Sequence, residues 1–300
     1  MSKEHRKKNI FKRDVMSEII PDLLEMLHKK NIGASDEQID SIAKKVAELG
    51  SYQPRVAIFG KTGSGKSSLC NAVFGDDVAA VSDIEACTRQ PQEYLLQLSP
   101  DKAIILIDVP GVGESSDKDN EYVPLYKSLL PKVDLLLWVI RCDDRAMTID
   151  LRVWNDLVRP HVAKGAPALI VLNQVDRVNP VREWDSTENK PGPTQQIVID
   201  GRRDVVAKDF LHPRADILPV SAQDGYGITE LVERIVHRLP NEKKLPFLSA
   251  VREERQSESA KKEAEEGFFE AIGSWFSKAF KKAEPYIPTI VSILRIVFRK

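Results

Sequence analysis

Apolar positions in this chain follow two rhythms, and the change from one to the other divides it. Before residue 50, Ile39, Ile42, Ala43, Val46 and Leu49 recur at steps of three and four, which puts them on one face of a helix. Ser35 followed by Gln38 is a capping-box pattern at its start, and Gly50 supplies a stop. An earlier helix is expected around residues 23–27, with Pro21 in its first turn. From Tyr52 to about Pro240, short β-rich runs alternate with helical segments. The runs are Arg55–Phe59 and residues 94–98, 103–107, 135–140, 168–172 and 217–220. Helices are expected to open at Gly65 and to cover 153–162 and Ile228–Arg238. This alternation predicts a three-layer α/β fold: a mostly parallel sheet with helices on both faces. Residues 177–201, rich in Pro, Asn and charge, read as a long loop or insertion.

Beyond Pro240 the pattern changes again. Residues 241–266 are charged and read as a solvated linker or exposed helix. In 267–282, Phe268, Phe269, Ile272, Trp275, Phe276, Ala279 and Phe280 give an amphipathic helix an aromatic face, with Lys278, Lys281 and Lys282 towards the other side. Two uses fit that face: packing on the rest of the chain, or docking on an anionic membrane or a partner. The run Ile287–Phe298 is broken by Pro288 and Arg295 and is too short to cross a bilayer, which takes about 20 apolar residues. The expected organisation is an N-terminal helical segment (1–51), a central domain (52–240), a charged linker (241–266) and a C-terminal helical extension (267–300).

Composition narrows the class. The net charge of −1 over 300 residues conceals six Lys/Arg against one acid in residues 1–13, and six against two in 267–300. Basic ends on an acidic body suit contact with a membrane or RNA, and equally suit solvated termini. Cys70, Cys87 and Cys142 have no CxxC spacing, and the five His are scattered, which argues against a disulfide framework and a zinc site. No apolar stretch follows the charged N-terminus, so a secretory signal is not expected. The expectation is a cytoplasmic protein, with peripheral attachment to the inner face of the membrane as the variant that the tail suggests.

The chemistry lies at the ends of the predicted strands. Residues 60–67, GKTGSGKS, fit G-x-x-x-x-G-K-[ST] directly after the strand VAIF. Here Gly60, Lys61, Thr62, Gly63, Ser64 and Gly65 would let successive N–H groups cradle phosphates, and the following helix would present its positive end to the same anion. Lys66 would meet the β- and γ-phosphates, Ser67 would ligate Mg²⁺, and Ser68 continues the turn. Asp108-Val109-Pro110-Gly111 ends the strand AIILI; Asp108 could hold Mg²⁺ through water, and the Gly111 N–H could meet the γ-phosphate. Asn173-Gln174-Val175-Asp176 follows ALIVL, and the Asp176 carboxylate could accept two hydrogen bonds from guanine that adenine cannot offer. Asn173 would brace that loop. Ser221-Ala222, after ILPV, could place a backbone N–H on the guanine oxygen.

Four such elements in this order resemble the G motifs of the Era-like branch of translation-factor-related GTPases. The stretch SYQPRVAIFGKTGSGKSSLCNAVFG…CTRQPQEY is particularly similar to prophage-type bacterial GTPases, and the resemblance covers roughly residues 50–240. It implies GTP/GDP and Mg²⁺ as ligands. It also implies that Thr88 is a switch I residue closing on Mg²⁺ and the γ-phosphate, acting with Lys66 in catalysis, and that switch II follows Gly111. Three positions depart from the pattern. Gln174 stands where Lys usually covers the guanine ring, Val112 stands where Ras-like proteins orient the attacking water, and Gly63 replaces the asparagine that holds potassium in some relatives. Arg89, Glu93 and Glu114 are near enough to the switches to be considered as helpers, and read more readily as solvated surface than as catalytic groups. Slow intrinsic turnover, raised by a partner or by a homodimer through the G domain, is expected. The alternatives are a switch on ribosome or RNA, a membrane-associated GTPase of dynamin-like or immunity-related type, and a nucleotide-gated module with negligible hydrolysis.

Overall fold

A computed structural model describes residues 21–22, 24–26, 28–29, 35–75, 92–99, 102–108, 124, 127–279 and 287–298, with backbone alone for 92–99, 102–108, 287 and 297–298. Helix α1 (Asp36–Gly50) begins with the reciprocal cap expected of it: Gln38 N–H donates to Ser35 Oγ, and Ser35 N–H to Gln38 Oε1. Asp36 and Glu37 in its first turn complement the helix dipole. Its inward face is the predicted set of five residues, Ile39 to Leu49.

The strands are β1 (Arg55–Phe59), β2 (Gln92–Ser99), β3 (Lys102–Asp108), β4 (Leu135–Arg141), β5 (Ala168–Asn173) and β6 (Ile217–Pro219). They form one sheet of order β2-β3-β1-β4-β5-β6, in which β2 is antiparallel to β3 and the other pairings are parallel. The apolar runs of β1, β4 and β5 are buried on both faces, as central strands of a covered sheet must be. Alternation then sends their side chains to two separate cores. On one side, Val56, Ile58, Leu135, Leu137, Val139, Leu169 and Val171 pack with α1, α2 (Lys66–Phe74) and α6 (Ile228–Arg238). On the other, Ala57, Phe59, Leu136, Trp138, Ile140, Ile170 and Leu172 pack with α3 (Thr148–Val153), the π-helical turn Trp154–Val158 that continues into α4 (Arg159–Val162), and α5 (Pro193–Asp209). Phe59 stacks on Trp138 at 5.7 Å, and Trp138 meets Trp154 edge-on at 5.8 Å. Trp154 donates its indole N–H to the Phe210 carbonyl at 3.0 Å, which ties the π-helical turn to the end of α5.

Two segments differ from the sequence reading. Residues 177–201 are only in part a loop: after the short turn Val181–Glu183, helix α5 begins at Pro193. Pro at its first turn and Gln195 reaching back to the Gly192 N–H start it. Its buried face is only Gln195, Ile199 and Val206, with Gly201 mid-helix, so no clear helical rhythm marks it in sequence. Residues 241–266, read as a solvated linker or exposed helix, hold α7 (Asn241–Ala250), whose apolar residues are buried, and the start of α8 (Glu258–Ala279), which runs unbroken into the aromatic segment. Leu245, Phe247 and Leu248 of α7 are buried, and its Lys244 pairs with Glu263 of α8 at 2.7 Å.

The aromatic face of α8 packs inward. Phe268, Phe269, Ile272 and Phe276 are buried in the same core as α1, α2 and α6, and α9 (Ile287–Phe298) adds Ile290, Ile293 and Leu294. A Cβ on Gly267 would stand 3.0 Å from Asn241 Oδ1 and Lys244 Cδ, so α8 crosses α7 at close range where this glycine lies. No helix among the described residues is long and apolar enough to cross a membrane.

Beneath β6, the Asp216 carboxylate is buried and receives Arg234 Nε at 2.7 Å, Arg238 Nε at 2.8 Å and a further Arg238 N–H. Burial works against its charge, yet the two guanidinium groups hold the carboxyl below the usual carboxylate range. The lowered folded value means that this stabilisation is complete above the unfolded pKa of about 4 and is lost as pH falls through the folded one. Asp216→Ala should cost about 3 kcal/mol at neutral pH in urea denaturation, and should flatten the loss of stability on acidification.

Candidate functional site

The carboxyl ends of β1, β3, β4, β5 and β6 share one edge of the sheet, where open α/β folds gather ligands. The loop after β1 turns on three glycines with positive φ: Gly60 (147°), Gly63 (79°) and Gly65 (85°). A Cβ on Gly60 would lie 2.3 Å from the Val139 carbonyl oxygen, and one on Gly65 2.3 Å from Asn173 Nδ2, so side chains are excluded at both. At Gly63 the same position meets nothing within 4 Å, which leaves the crown of the loop open. Helix α2 starts immediately afterwards, and Gly65 at its N-cap offers no side chain to its first amides. Lys66 folds back over the loop, donating to the carbonyls of Gly60 at 2.9 Å and Lys61 at 3.3 Å. Thr62 and Ser68 are exposed, Ser67 is half-buried, and Ser64 Oγ is buried with no hydrogen-bond partner among the described residues.

Lys61 is placed differently from the other loop residues. Its ammonium pairs with Asp144 at 3.0 Å and Asp150 at 2.9 Å, and also donates to the Ala146 carbonyl. Its side chain is thus committed to the segment after β4, and its contribution to the loop crown is backbone. Asp150 is almost wholly buried; burial raises its pKa against the opposing pull of Lys61. Burial also works against the Asp144 charge, but the Ala146 N–H and Lys61 outweigh it and hold that carboxyl low. Arg202 of α5 donates to the Asp144 carbonyl, joining a third element to the cluster.

Asn173 is the centre of the site. It is buried at the tip of β5, and its Nδ2 donates to the carbonyls of Ser64 at 3.0 Å and Gly65 at 3.3 Å. Its Oδ1 accepts the Ala222 N–H at 3.1 Å, so the amide expected to face a guanine oxygen is here engaged by Asn173. Gln174 takes a left-handed backbone, φ 62°, and its Nε2 reaches the Gly63 carbonyl at 2.9 Å. Asp176 lies in the turn Val175–Arg177, loosely paired with Arg177 at 3.7 Å. Ser221 is buried and shares hydrogen bonds with Asp224 through its Oγ, closing the turn after β6. Asp108 ends β3 in register with Ile58 of β1, one strand from the phosphate-type loop. Thr88 and Gly111 lie outside the described residues, as do Cys87, Arg89, Val112 and Glu114. Cys142 beside the site is buried, which pushes its thiol up to about 12 and keeps it protonated at neutral pH.

The Lys61 cluster and the left-handed Gln174 were not foreseen from sequence. Asp144 and Asp150 follow a strand tip, which is a signal of position, but their pairing with Lys61 bridges more than 80 residues.

Residues 55–174 match the family model described as 50S ribosome-binding GTPase. The Escherichia coli K12 protein YkfA is 33% identical over 273 residues, which cover 86% of this chain and 91% of that relative. The chain belongs to the YkfA group of Era-like P-loop GTPases. Its matched domain makes it a guanine-nucleotide-binding GTPase. GTPase Era of Geotalea uraniireducens is 28% identical over 61% of this chain and 54% of its own length. A solved structure of a probable GTP-binding protein EngB covers 61% of this chain and 97% of its own, with 17% identity and a TM-score of 0.44.

The buried Asp150 makes Lys61 testable within this GTPase. Lys61→Met leaves that carboxylate without its ammonium and should cost about 2 kcal/mol in thermal or urea unfolding. Lys61→Met with Asp150→Leu, which removes both charges, should recover most of the loss.

Proposed function

We propose that this GTPase is a Mg²⁺-dependent molecular switch whose base-reading and phosphate-reading loops are joined through Asn173. The observation that carries the reading is that this one side chain donates to the Ser64 and Gly65 carbonyls and accepts the Ala222 N–H. Phosphates would occupy the crown at Gly63, where space is open and the backbone already curls. There the N–H groups of Lys61–Ser67 and the start of α2 would receive them, and Lys66 would exchange its carbonyl contacts for the β- and γ-phosphate oxygens. The orphan Ser64 hydroxyl fits a site built to be completed by a polar ligand.

Asp176 would accept guanine N1–H and the 2-amino group, while Gln174, already drawn to Gly63, would cover one face of the base. The oxygen donors Ser67, Asp108 and Thr88 suit Mg²⁺, which would neutralise charge on the phosphate oxygens. The register of Asp108 with Ile58 and the half-burial of Ser67 support that fit. With Thr88 and Gly111 as its triphosphate contacts, the switch would order on GTP and relax on hydrolysis. Val112 cannot orient water, so intrinsic turnover would be slow and raised by a partner.

For the partner class, burial of Phe268, Phe269, Ile272 and Phe276 weighs against the aromatic face meeting a membrane while α8 is packed. That leaves ribosome or RNA as the reading to pursue, tested by co-sedimentation of the GTP-analogue and GDP forms with ribosomes and with anionic vesicles.

Asp176→Ala should weaken GTP and GDP binding by about 100-fold with no gain for ATP in competition titration, because two charge-assisted bonds to the base are lost. Lys66→Ala should abolish single-turnover GTP cleavage. Undiminished guanine preference in Asp176→Ala would overturn the base assignment.

A further inference from the structure

Apolar surface on this molecule is unevenly spread. Of the seven exposed large apolar side chains among the described residues, five lie on α5 or at its two ends: Val181, Ile197, Val198, Val205 and Leu211. Ile197 is 72% exposed and Leu211 63%. Scattered singly, such residues need no explanation; gathered on one helix they mark an interaction surface. The inward face of α5 is already satisfied by Gln195, Ile199 and Val206. The flanking charges Asp200 and Asp204 are tied to Arg214.

Two local costs fall on this outer face without a local return. Gly201 sits mid-helix, where glycine is less favourable than alanine, although a Cβ there would meet nothing within 4 Å. Leu211 has φ 50°, a left-handed backbone that leucine adopts at a cost, and holds its side chain in solvent. Both make sense if another surface closes over the helix.

The face identifies that surface by its symmetry about Gly201. Ile197 and Val205 lie four residues to either side, on the same stripe as the glycine. At the N-terminal end stand Val181 and Glu183, whose carboxylate accepts the Thr194 N–H. At the C-terminal end stand Leu211 and Lys208, and Lys208 is exposed with no ion-pair partner among the described residues. An antiparallel copy of the same helix, crossed at Gly201, would set Ile197 on Val205, Val181 on Leu211 and Lys208 on Glu183, each twice. The bare glycine lets the two backbones approach, and antiparallel helix dipoles are favourable.

We propose that α5 is a two-fold self-association surface, and that its occupant is α5 of a second copy of this chain. The contact is isologous and closes at two subunits. One helix and its ends bury less than the roughly 800 Å² per partner of stable complexes, so the dimer is weak and forms in the micromolar range. Through the buried Gln195 bond to the Val178 carbonyl, α5 packs directly on the segment after Asp176, so pairing braces the base-reading side of the site. The surface stands on geometry outside the nucleotide loop, and its failure would leave the switch reading untouched.

Sedimentation equilibrium of the full 300-residue chain tests it. A monomer–dimer equilibrium is expected, and Ile197→Asp should raise its dissociation constant about tenfold or more while nucleotide retention and melting temperature stay unchanged. Lys208→Glu and Glu183→Lys should each weaken association by roughly threefold. An equimolar mixture of those two variants should associate like the unmodified chain, because each repelling pair becomes an attracting one; a folding defect would not be repaired by mixing. A chain that sediments as monomer up to about 1 mM, a dimer indifferent to Ile197→Asp, or single variants not restored by mixing would each overturn the proposal. So would a monomer that uses Ile197 only to bind vesicles.

Discussion

A buried primary amide must find partners for both its N–H₂ and its oxygen, and that requirement, met at Asn173, organises the candidate site. Its donors go to two carbonyls of the loop after β1, and its oxygen takes the amide of the turn after β6. Three loops from distant parts of the chain are thereby held as one body. The arrangement also accounts for Gly65: any side chain there would collide with Asn173 Nδ2, so the loop and the amide must be made for each other. The three loops that Asn173 joins are held by hydrogen bonds within the protein, so a ligand that enters has little left to order in them.

The same economy extends to the rest of the fold. One face of the sheet is covered by helices close to it in sequence, α3 to α5. The other is covered by α1, α2 and α6, and then extended by α7, α8 and α9 from the C-terminal part. There α7 packs on β3 and α1, and α8 packs on α1, α6 and α7, with Phe268, Phe269 and Phe276 turned into the core. That explains why a stripe of Phe and Ile on a highly charged helix is buried. The charges of residues 258–266 lie on the solvent side or pair with neighbours such as Lys244, while the bulky positions turn inward.

How much of this was legible in sequence depended on whether a residue's role is local. β1 and Ile228–Arg238 were delimited correctly because burial on both faces leaves a continuous apolar run and burial of one helical stripe leaves a periodic one. The Ser35 cap was legible because its two partners are three residues apart. Helix α5 was not, because apolar residues on both its faces blur the period and a glycine interrupts it. The packing of α8 was undecidable, since amphipathicity states that a face will be covered but not by what. In the site, the motif residues could be located from their strand-end positions. The pairing of Lys61 with Asp144 and Asp150, and the left-handed turn at Gln174, arise from tertiary contacts that leave no spacing to read.

That unforeseen pairing changes the electrostatics of nucleotide capture. The loop after β1 carries two lysines, and a count of charges would credit both to the phosphates. Lys61 is instead neutralised by two carboxylates, one of them buried, so the cluster as a whole is no more positive than its surroundings. The second lysine of that loop, Lys66, folds over the carbonyls of Gly60 and Lys61, beside the amides of the loop and the start of α2. In the proposed reading, the attraction that this loop offers a triphosphate would be short-ranged and directional, built from backbone dipoles and the Lys66 ammonium. That contribution differs in kind from a broad positive field that steers ligands from a distance. On a central body that is itself acidic, such a site depends on fit, and the glycines and Asn173 that set the fit matter more than the formal charge around them.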